Sequence, residues 1–406
     1  MKPKKEPPGV VSQDGSAVDA QQRTMESEKE PPGIVVLYNA TEDLVKGEPR
    51  DLLAEQGVVA CAQAVADALQ EADYRVTQAP IHSDVESALV PYPPTDWVIF
   101  NLGEGLAGRL FEEARMAWAL EAMGYRFTGS GGDAIARSVH KAQTKILLTA
   151  RGVVTPAWRL FRHPDEVEAL TSSDLPLPLI VKPVAEDASI GIGPAAVVHT
   201  VPALRERVAY VVERYRQAAL AEAFVAGREF NIALWGDPPR VLPLAEIDFS
   251  AFADPYARIV SFAAKWETNS FEYHHTPVLC PAPVDSSLGN RIASTARRAW
   301  AAIGCRGYAR VDMRVSVEGI PYVVEVNCNP DLSPDAGFYH AARAAGYRYR
   351  DMVIHILEFA RSQCYTDDRV SLTHRRPVYP EDNRRGGRLY PYGIGLRRGA
   401  VERIPG

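Results

Sequence analysis

The sequence predicts a protein of mixed α/β and α+β class, and three observations carry that expectation. From Ile34 to Ser130, short apolar strands alternate with helical stretches, the pattern of a parallel sheet covered by helices. From Val153 to Trp235, strands are joined by small-residue loops, one helix and a glycine turn. From Gly307 to Pro330, apolar and polar residues alternate on either side of Glu318-Gly319, which reads as a hairpin. The expected division is an N-terminal α/β domain over 33–130, a central unit over 131–220 and a C-terminal unit over 221–362. A disordered segment, 1–32, is expected before them and a weakly ordered, Arg-rich tail, 363–406, after them.

A chain of 406 residues can bury substantial cores in two or three domains. With 45 Lys+Arg against 51 Asp+Glu it is mildly acidic, which argues against a general nucleic-acid binder. Five cysteines (Cys61, Cys280, Cys305, Cys328 and Cys364) are scattered without a Cys-x-x-Cys, which fits a reduced compartment and no zinc site. No apolar run of transmembrane length and no signal-peptide core are read, so a soluble, cytoplasmic protein without membrane or nucleic-acid partners is expected.

Ile34–Tyr38 reads as a buried strand. A helix over 55–71 carries Val58, Val59, Ala62, Val65, Ala66 and Leu69 at helical spacing. Strands are expected at Tyr74–Thr77 and Trp97–Leu102, and a helix at 110–123. Gly129-Ser-Gly-Gly132 lacks the spacing of a P-loop or a dinucleotide fingerprint and reads as a turn. One helix over 134–151 sets Lys141 and Lys145 a turn apart on one face, as a solvated basic stripe if nothing anionic faces it. Leu179–Val184 is an apolar strand ending in Lys182, followed by the small-residue loop Ala185–Gly193. A lysine there either meets an anion or snorkels from a simple turn, and such a loop can wrap its N–H groups round a phosphate.

A helix at 202–218 precedes Ala221–Trp235, which reads as strand, glycine turn and strand. Glu222 and Glu229 sit at its edges as solvated charges or as hydrogen-bond acceptors. Ser250–Thr276 shows no periodicity and is long for a loop, which marks it as functional or disordered. Its adjacent His274 and His275 cannot face one site together and are read as non-metal. Helices are expected at 286–303 and over most of Pro334–Ala360.

In the 307–330 hairpin, symmetric closure about Glu318-Gly319 sets Asp312 opposite Glu325 and Arg310 opposite Asn327. Val311, Met313 and Val315 take one face, as do Val324 and Val326 on the second strand, leaving Val323, Glu325 and Asn327 on the other. Carboxylates about 5 Å apart across a sheet repel unless a cation lies between them. Two carboxylates and an amide oxygen are hard ligands suited to Mg²⁺ beside phosphates. The alternative is a solvent-facing hairpin in which Arg310 and Arg314 neutralise Asp312 as surface pairs.

Taken in order, these pieces resemble the ATP-grasp superfamily, and within it the D-alanine–D-alanine ligase family. The match runs from about Ile34 to Arg361. It is carried by Tyr125-x-x-Thr-Gly-Ser130, Lys141, Lys182-Pro183, Gly227-Arg-Glu229, Lys265, Cys280-Pro-Ala282, Arg310-Val-Asp312, Glu325-Val-Asn327 and Ala341-Ala-Arg-Ala-Ala-Gly346. The resemblance implies an ATP-grasp fold behind an N-terminal parallel α/β domain. It assigns ATP to Lys141, Lys182, Ser189, Glu222 (adenine amino group), the backbone at Phe224 and Val225 (ring edge) and Glu229 (ribose). It assigns Mg²⁺, with Mn²⁺ as an alternative, to Asp312, Glu325 and Asn327. The 250–276 loop becomes a lid bringing Lys265 to the γ-phosphate, and Arg310 stabilises an oxyanion. The reaction implied joins a small-molecule carboxylate to an amine through an acyl phosphate, and a homodimer is compatible with it.

Departures from the family pattern fall in the amino-acid half of the site. Asp187-Ala188-Ser189 stands for Gly-Ser-Ser, Trp266 for a tyrosine, Pro330-Asp331-Leu332 for Pro-Gly-Met and Ala336 for a serine. A histidine is missing near Asn101–Glu104, and Glu55 matches the substrate-amine carboxylate by weak alignment. Glu55, Ala188, Trp266, Asp331 and Ala336 are thus the candidate substrate residues. The expected activity is ligation of substrates other than two D-alanines. The alternatives are a true D-alanine–D-alanine ligase of cell-wall precursor synthesis and a nucleotide-binding regulator with a decayed site.

Overall fold

A computed structural model describes residues 31–40, 44–105, 111–170 and 175–362. The tail expected at 363–406 lies outside the described residues, as does the N-terminal segment expected at 1–32 apart from residues 31 and 32.

The first region runs β1 (Gly33–Asn39), α1 (Leu52–Gln70), β2 (Val76–Ile81), α2 (Val85–Leu89), β3 (Trp97–Leu102), α3 (Glu112–Ala122), α4 (Gly132–Val139) and α5 (Lys141–Ala150). The three strands form a parallel sheet in the order β2-β1-β3. Alternation sends Ile34 and Val36 into one core with α1, and Val35 and Leu37 into another with α3 and α4. All four are fully buried, as a strand covered on both faces requires. By length and composition α1, with its 3-10 lead-in, is apolar enough to cross a bilayer, contrary to expectation. Its Val58, Ala62, Val65 and Leu69 are packed against the sheet as in a core helix.

The second region contains β4 (Trp158–Phe161), β5 (Leu179–Pro183), β6 (Val197–Val198), α6 (Val201–Tyr215) and β7 (Ala219–Ala223). Its antiparallel sheet has the order β4-β7-β5-β6. The boundary expected at 220/221 falls inside β7, so this sheet extends to Ala223.

The third region contains β8 (Gly227–Trp235), β9 (Arg240–Val241), β10 (Ala245–Ile247), α7 (Phe262–Trp266), α8 (Phe271–His274), β11 (Val278–Leu279), α9 (Ser286–Ile303), β12 (Tyr308–Ser316), β13 (Pro321–Asn327), α10 (Gly337–Ala344) and α11 (Tyr349–Arg361). Its sheet has the order β11-β10-β8-β12-β13, with β9 on β8. The strand–glycine–strand read at 221–235 is therefore no hairpin: β7 and β8 belong to different sheets, and 224–226 links them. Gly227 makes this close passage possible, since a Cβ there would lie 2.0 Å from the Val315 carbonyl oxygen, at φ 147°.

Three further expectations are corrected. The helix at 134–151 is two helices broken at His140, whose extended backbone starts α5 and whose ring accepts from the Gln143 N–H. The 334–360 helix is likewise two, α10 and α11. The 250–276 segment is not structureless: it folds as a 3-10 turn at Pro255–Ala257 followed by α7 and α8.

Candidate active site

The β12–β13 register is the expected one at its functional end, with Arg310 opposite Asn327 and Asp312 opposite Glu325. Beyond that pair a bulge intervenes, and Met313 faces Val323 rather than Val324. The bulge moves Val323 to the core with Val326, both at most 1 % exposed, so Val323 does not share the face of Glu325. It also leaves the Val324 carbonyl within 3.5 Å of Lys145 Nζ.

Three charged residues, Arg310, Asp312 and Glu325, lie in this register. Arg310 donates Nε and Nη2 to the two Asp312 oxygens at 2.8 and 2.9 Å, and Asn231 Nδ2 adds a third bond at 2.8 Å. Lys141 Nζ lies 2.7 Å from Glu325, 3.0 Å from Asp187 and 2.6 Å from the Glu186 carbonyl. Burial acts against the Lys141 charge, but Asp187 and Glu325 outweigh it and hold the ammonium protonated. Burial likewise opposes ionisation of Glu325, and Lys141 reverses that, keeping it far below the usual carboxylate range. Asp187 is pushed up to about 6 by burial, against the pull of Lys141. Asn327 Oδ1 accepts from the Asn329 N–H at 2.9 Å.

The donor set at Asp312, Glu325 and Asn327 fits a hard divalent cation. Two carboxylates share one cross-strand position, and cationic side chains already neutralise both. Among the described residues no cluster of three His, Cys, Asp or Glu side chains is gathered for a metal; the third donor here is an amide.

Lys141 and Lys145 are not a solvated stripe. They are 3 % and 0 % exposed, Lys141 meeting Glu325 of β13 and Asp187, and Lys145 meeting Glu222 of β7. Lys145 and Lys182 both pair with Glu222, the second at 2.6 Å. Lys182 is buried and does not snorkel, and Glu222, at 1 % exposure, is no solvated edge charge. Burial opposes the Glu222 charge, but Lys145 and Lys182 lower its pKa overall. Among the described residues the Phe224 carbonyl and the Val225 N–H bond to no other backbone group, whereas Phe224 N–H donates to Pro178 at 3.0 Å. Glu229 pairs with Arg314 at 2.7 Å. Arg314 therefore serves Glu229, not Asp312 as in the surface-pair alternative.

The 250–276 segment, the lid of the sequence reading, lies on the small-residue loop. Ser189 Oγ donates to the Val260 carbonyl at 2.8 Å, so its hydroxyl serves the lid in this arrangement rather than a phosphate. Trp266 Nε1 donates to the Ala188 carbonyl at 3.0 Å, and its ring rests on Gly57 of α1. Ala188 and Ser189 both take left-handed φ, 54° and 61°. Ala54, Ile190, Tyr215 and Phe262 form one apolar cluster joining α1, this loop, α6 and the lid. Lys265 makes no ion pair among the described residues. Burial and then Arg310 lower its pKa, opposed by Asp312, Glu325 and Asp331.

The remaining substrate candidates divide. Asp331 Oδ1 accepts from Ser333 N and Oγ at 2.8 and 2.6 Å, while its charge acts on Lys265 and Arg310. Ala336 caps α10 without a side-chain bond. Glu55 lies on α1, and its side chain is outside the described residues. Sequence reading missed Lys145, Asn231, Arg314 and Glu113 as site residues. Asn231 shares a strand face with Glu229, and Arg314 with Asp312, so period-two spacing could have found both. Glu113, on the first turn of α3, is raised well above its ordinary value by burial and then by Asp187. Nothing local in the sequence foretold that.

Residues 147–358 match the family model described as D-ala D-ala ligase C-terminus. An uncharacterized protein, y4sG, of Sinorhizobium fredii is 32 % identical over 276 residues, 68 % of this chain and 78 % of its own. A D-alanine–D-alanine ligase of Desulforudis audaxviator is 32 % identical over 307 residues, 74 % of this chain and 92 % of its own. The crystal structure of D-alanine–D-alanine ligase from Bacillus anthracis complexed with ATP superposes with TM-score 0.61 at 20 % identity, covering 81 % of this chain and 97 % of that one. The VanG D-Ala:D-Ser ligase of Enterococcus faecalis gives TM-score 0.61 at 18 % identity, over 82 % and 100 %. With half its length in the family model and relatives 32 % identical over more than two thirds of it, the chain belongs to the D-alanine–D-alanine ligase family of ATP-dependent, ADP-forming carbon–nitrogen ligases.

Proposed function

We propose that this ligase joins a small carboxylate, or the carboxyl group of an amino acid, to a neutral or cationic amine rather than joining two D-alanines. The observation that carries the reading is the pairing of charges in the cleft. Arg310 is taken by Asp312, and Lys141 by Glu325 and Asp187. Lys265 makes no ion pair among the described residues, which supports a role toward a transferring phosphate, and Asp331 adds negative charge beside it. A second carboxylate about 4 Å from Asp331 would be repelled by on the order of 4 kcal/mol at an effective dielectric near 20. Ala336, lacking a hydroxyl, supplies nothing to offset that.

In the chemistry proposed, a substrate carboxylate oxygen attacks the γ-phosphorus of ATP, and ADP leaves. The amine nitrogen of the second substrate then attacks the acyl carbon of the resulting acyl phosphate, losing a proton as inorganic phosphate departs. Lys141 and Lys182 hold phosphate charge in a water-poor cleft, and Lys265 meets the γ-phosphate when the lid is down. The Arg310 nitrogen not bonded to Asp312 faces the oxyanion of the second step. Asp312, Glu325 and Asn327 would hold Mg²⁺, which would neutralise phosphate charge there. The Phe224 carbonyl and Val225 N–H offer the acceptor and donor that a purine edge pairs with, and Glu229 an acceptor for ribose hydroxyls. A cytoplasmic location, where ATP and free thiols are both maintained, is part of the proposal.

A phosphate-release screen tests it, with ATP, Mg²⁺ and a panel of D- and L-amino acids, diamines and small carboxylates. Release is expected to need both a carboxylate and an amine, with the highest kcat/KM for a non-acidic amine. D-alanine as sole and best substrate would overturn the substrate reading.

A further inference from the structure

We propose that Arg314 is a positioning residue for the nucleotide: its guanidinium orients Glu229 toward a ribose and ties that carboxylate to the inter-sheet link and the lid. The inference rests on the ATP reading of the cleft but concerns a residue outside the phosphate and metal machinery.

Arg314 lies on the cleft face of β12, two residues beyond Asp312, and its register partner on β8 is Glu229. It is 7 % exposed. Nη1 donates to Glu229 Oε2 at 2.7 Å and to the Arg258 carbonyl of the lid at 2.7 Å. Nε donates to the Val225 carbonyl of the link at 3.1 Å. The guanidinium also lies 5.2 Å from the Phe224 ring centroid and 5.9 Å from that of Phe249. Nη2 is buried and has no partner among the described residues.

Three oxygen acceptors from three elements thus converge on one cation. Without it, a carboxylate and two carbonyl oxygens would crowd together with only like-signed charge facing inward, and Glu229 would turn away. A planar fork can hold three such acceptors in fixed directions; an ammonium group presents one point charge on a flexible stem. The elements joined are those a nucleoside must touch: the link beside its base, the carboxylate at its ribose and the lid above it. Arg314 thereby makes ribose recognition depend on the lid being down.

Full-length wild type, Arg314→Met and Arg314→Lys are titrated by calorimetry with MgATP and with Mg²⁺-2′,3′-dideoxy-ATP. Wild type should prefer ATP by about tenfold, the effect of charge-assisted bonds from ribose hydroxyls. In both variants that preference should shrink to about twofold or less, with most of the loss on ATP. A purely structural arginine would weaken both nucleotides alike and leave the ratio untouched, which would overturn the proposal. Arg314→Lys keeps the charge and carries the test should Arg314→Met fail to fold. A wild type without preference would instead remove Glu229 as the ribose acceptor, and the proposal with it, while leaving substrate-dependent phosphate release intact.

Discussion

Glu222 is held between the ammonium groups of Lys145 and Lys182 at 1 % exposure. Breaking one arm leaves uncompensated charge, so Lys145→Met should cost about 3–5 kcal/mol of unfolding free energy, read from denaturant midpoints. The pH dependence has a definite sign. The Glu222 carboxyl is lowered below 4.5, its ordinary value, so its stabilisation is present above that pH and lost as pH falls through the folded value. Glu222→Gln should therefore lie further below wild type at pH 7 than at about pH 3.5. Equal deficits at both pH values would mean that the charge is not what stabilises. At the β12–β13 hairpin, Asp312→Asn and Glu325→Gln should each lower kcat well beyond tenfold, more than ~1.4 kcal/mol of barrier, with near-UV spectra unchanged. Asp312 and Glu325 were legible in sequence because period-two spacing fixes which residues face each other. Lys145 was not, because it lies on α5 and its partner is 77 residues away on β7.

At the scale of elements, the lid and α1 meet at Gly57. A glycine inside a helix costs about 1 kcal/mol relative to alanine, so it needs a reason. Here a Cβ would lie 2.9 Å from Trp266 Cζ3, and the neighbouring Arg50–Glu267 pair at 3.2 Å fastens the same contact. Gly57→Ala should lift the lid, speeding tryptic cleavage after Lys265 several-fold at unchanged far-UV ellipticity. Adding it to Trp266→Phe should have little further effect, since both remove one contact. Full additivity of the two would show that Gly57 and Trp266 do not act together. The β13 bulge is a second element-scale device. It returns Val323 to the core while keeping Glu325 in the cleft, which strict alternation cannot do.

For the molecule as a whole, the proposed nucleotide site draws on an antiparallel sheet carrying Lys182 and another carrying Asp312, with 224–226 as the link between them. A ligand that binds only the folded, closed arrangement stabilises it by about 2.7 kcal/mol at a hundred times its Kd. MgATP should therefore raise the melting temperature of wild type by several degrees. Asp312→Asn should keep the increment given by ATP alone and lose the part that depends on Mg²⁺. Calorimetric scans with ATP plus EDTA and ATP plus Mg²⁺ check this; an undiminished Mg²⁺ increment in Asp312→Asn would remove that residue from the metal site.

The amino-acid sequence by itself determined the parallel N-terminal sheet, the hairpin register at Asp312 and Glu325, and the order of the charged motifs. Those features depend on periodicities of two and 3.6 residues and on chemistry within a few positions. Tertiary structure alone decided that β7 and β8 part into separate sheets, that helices break at His140 and after Ala344, and that Val323 turns inward. It also decided that Lys141, Lys145, Lys182 and Glu222 are buried. A lysine's local sequence is the same whether its ammonium meets water or a carboxylate brought from a distant strand. Burial and partnership are properties of the packed chain, and only the fold fixes them.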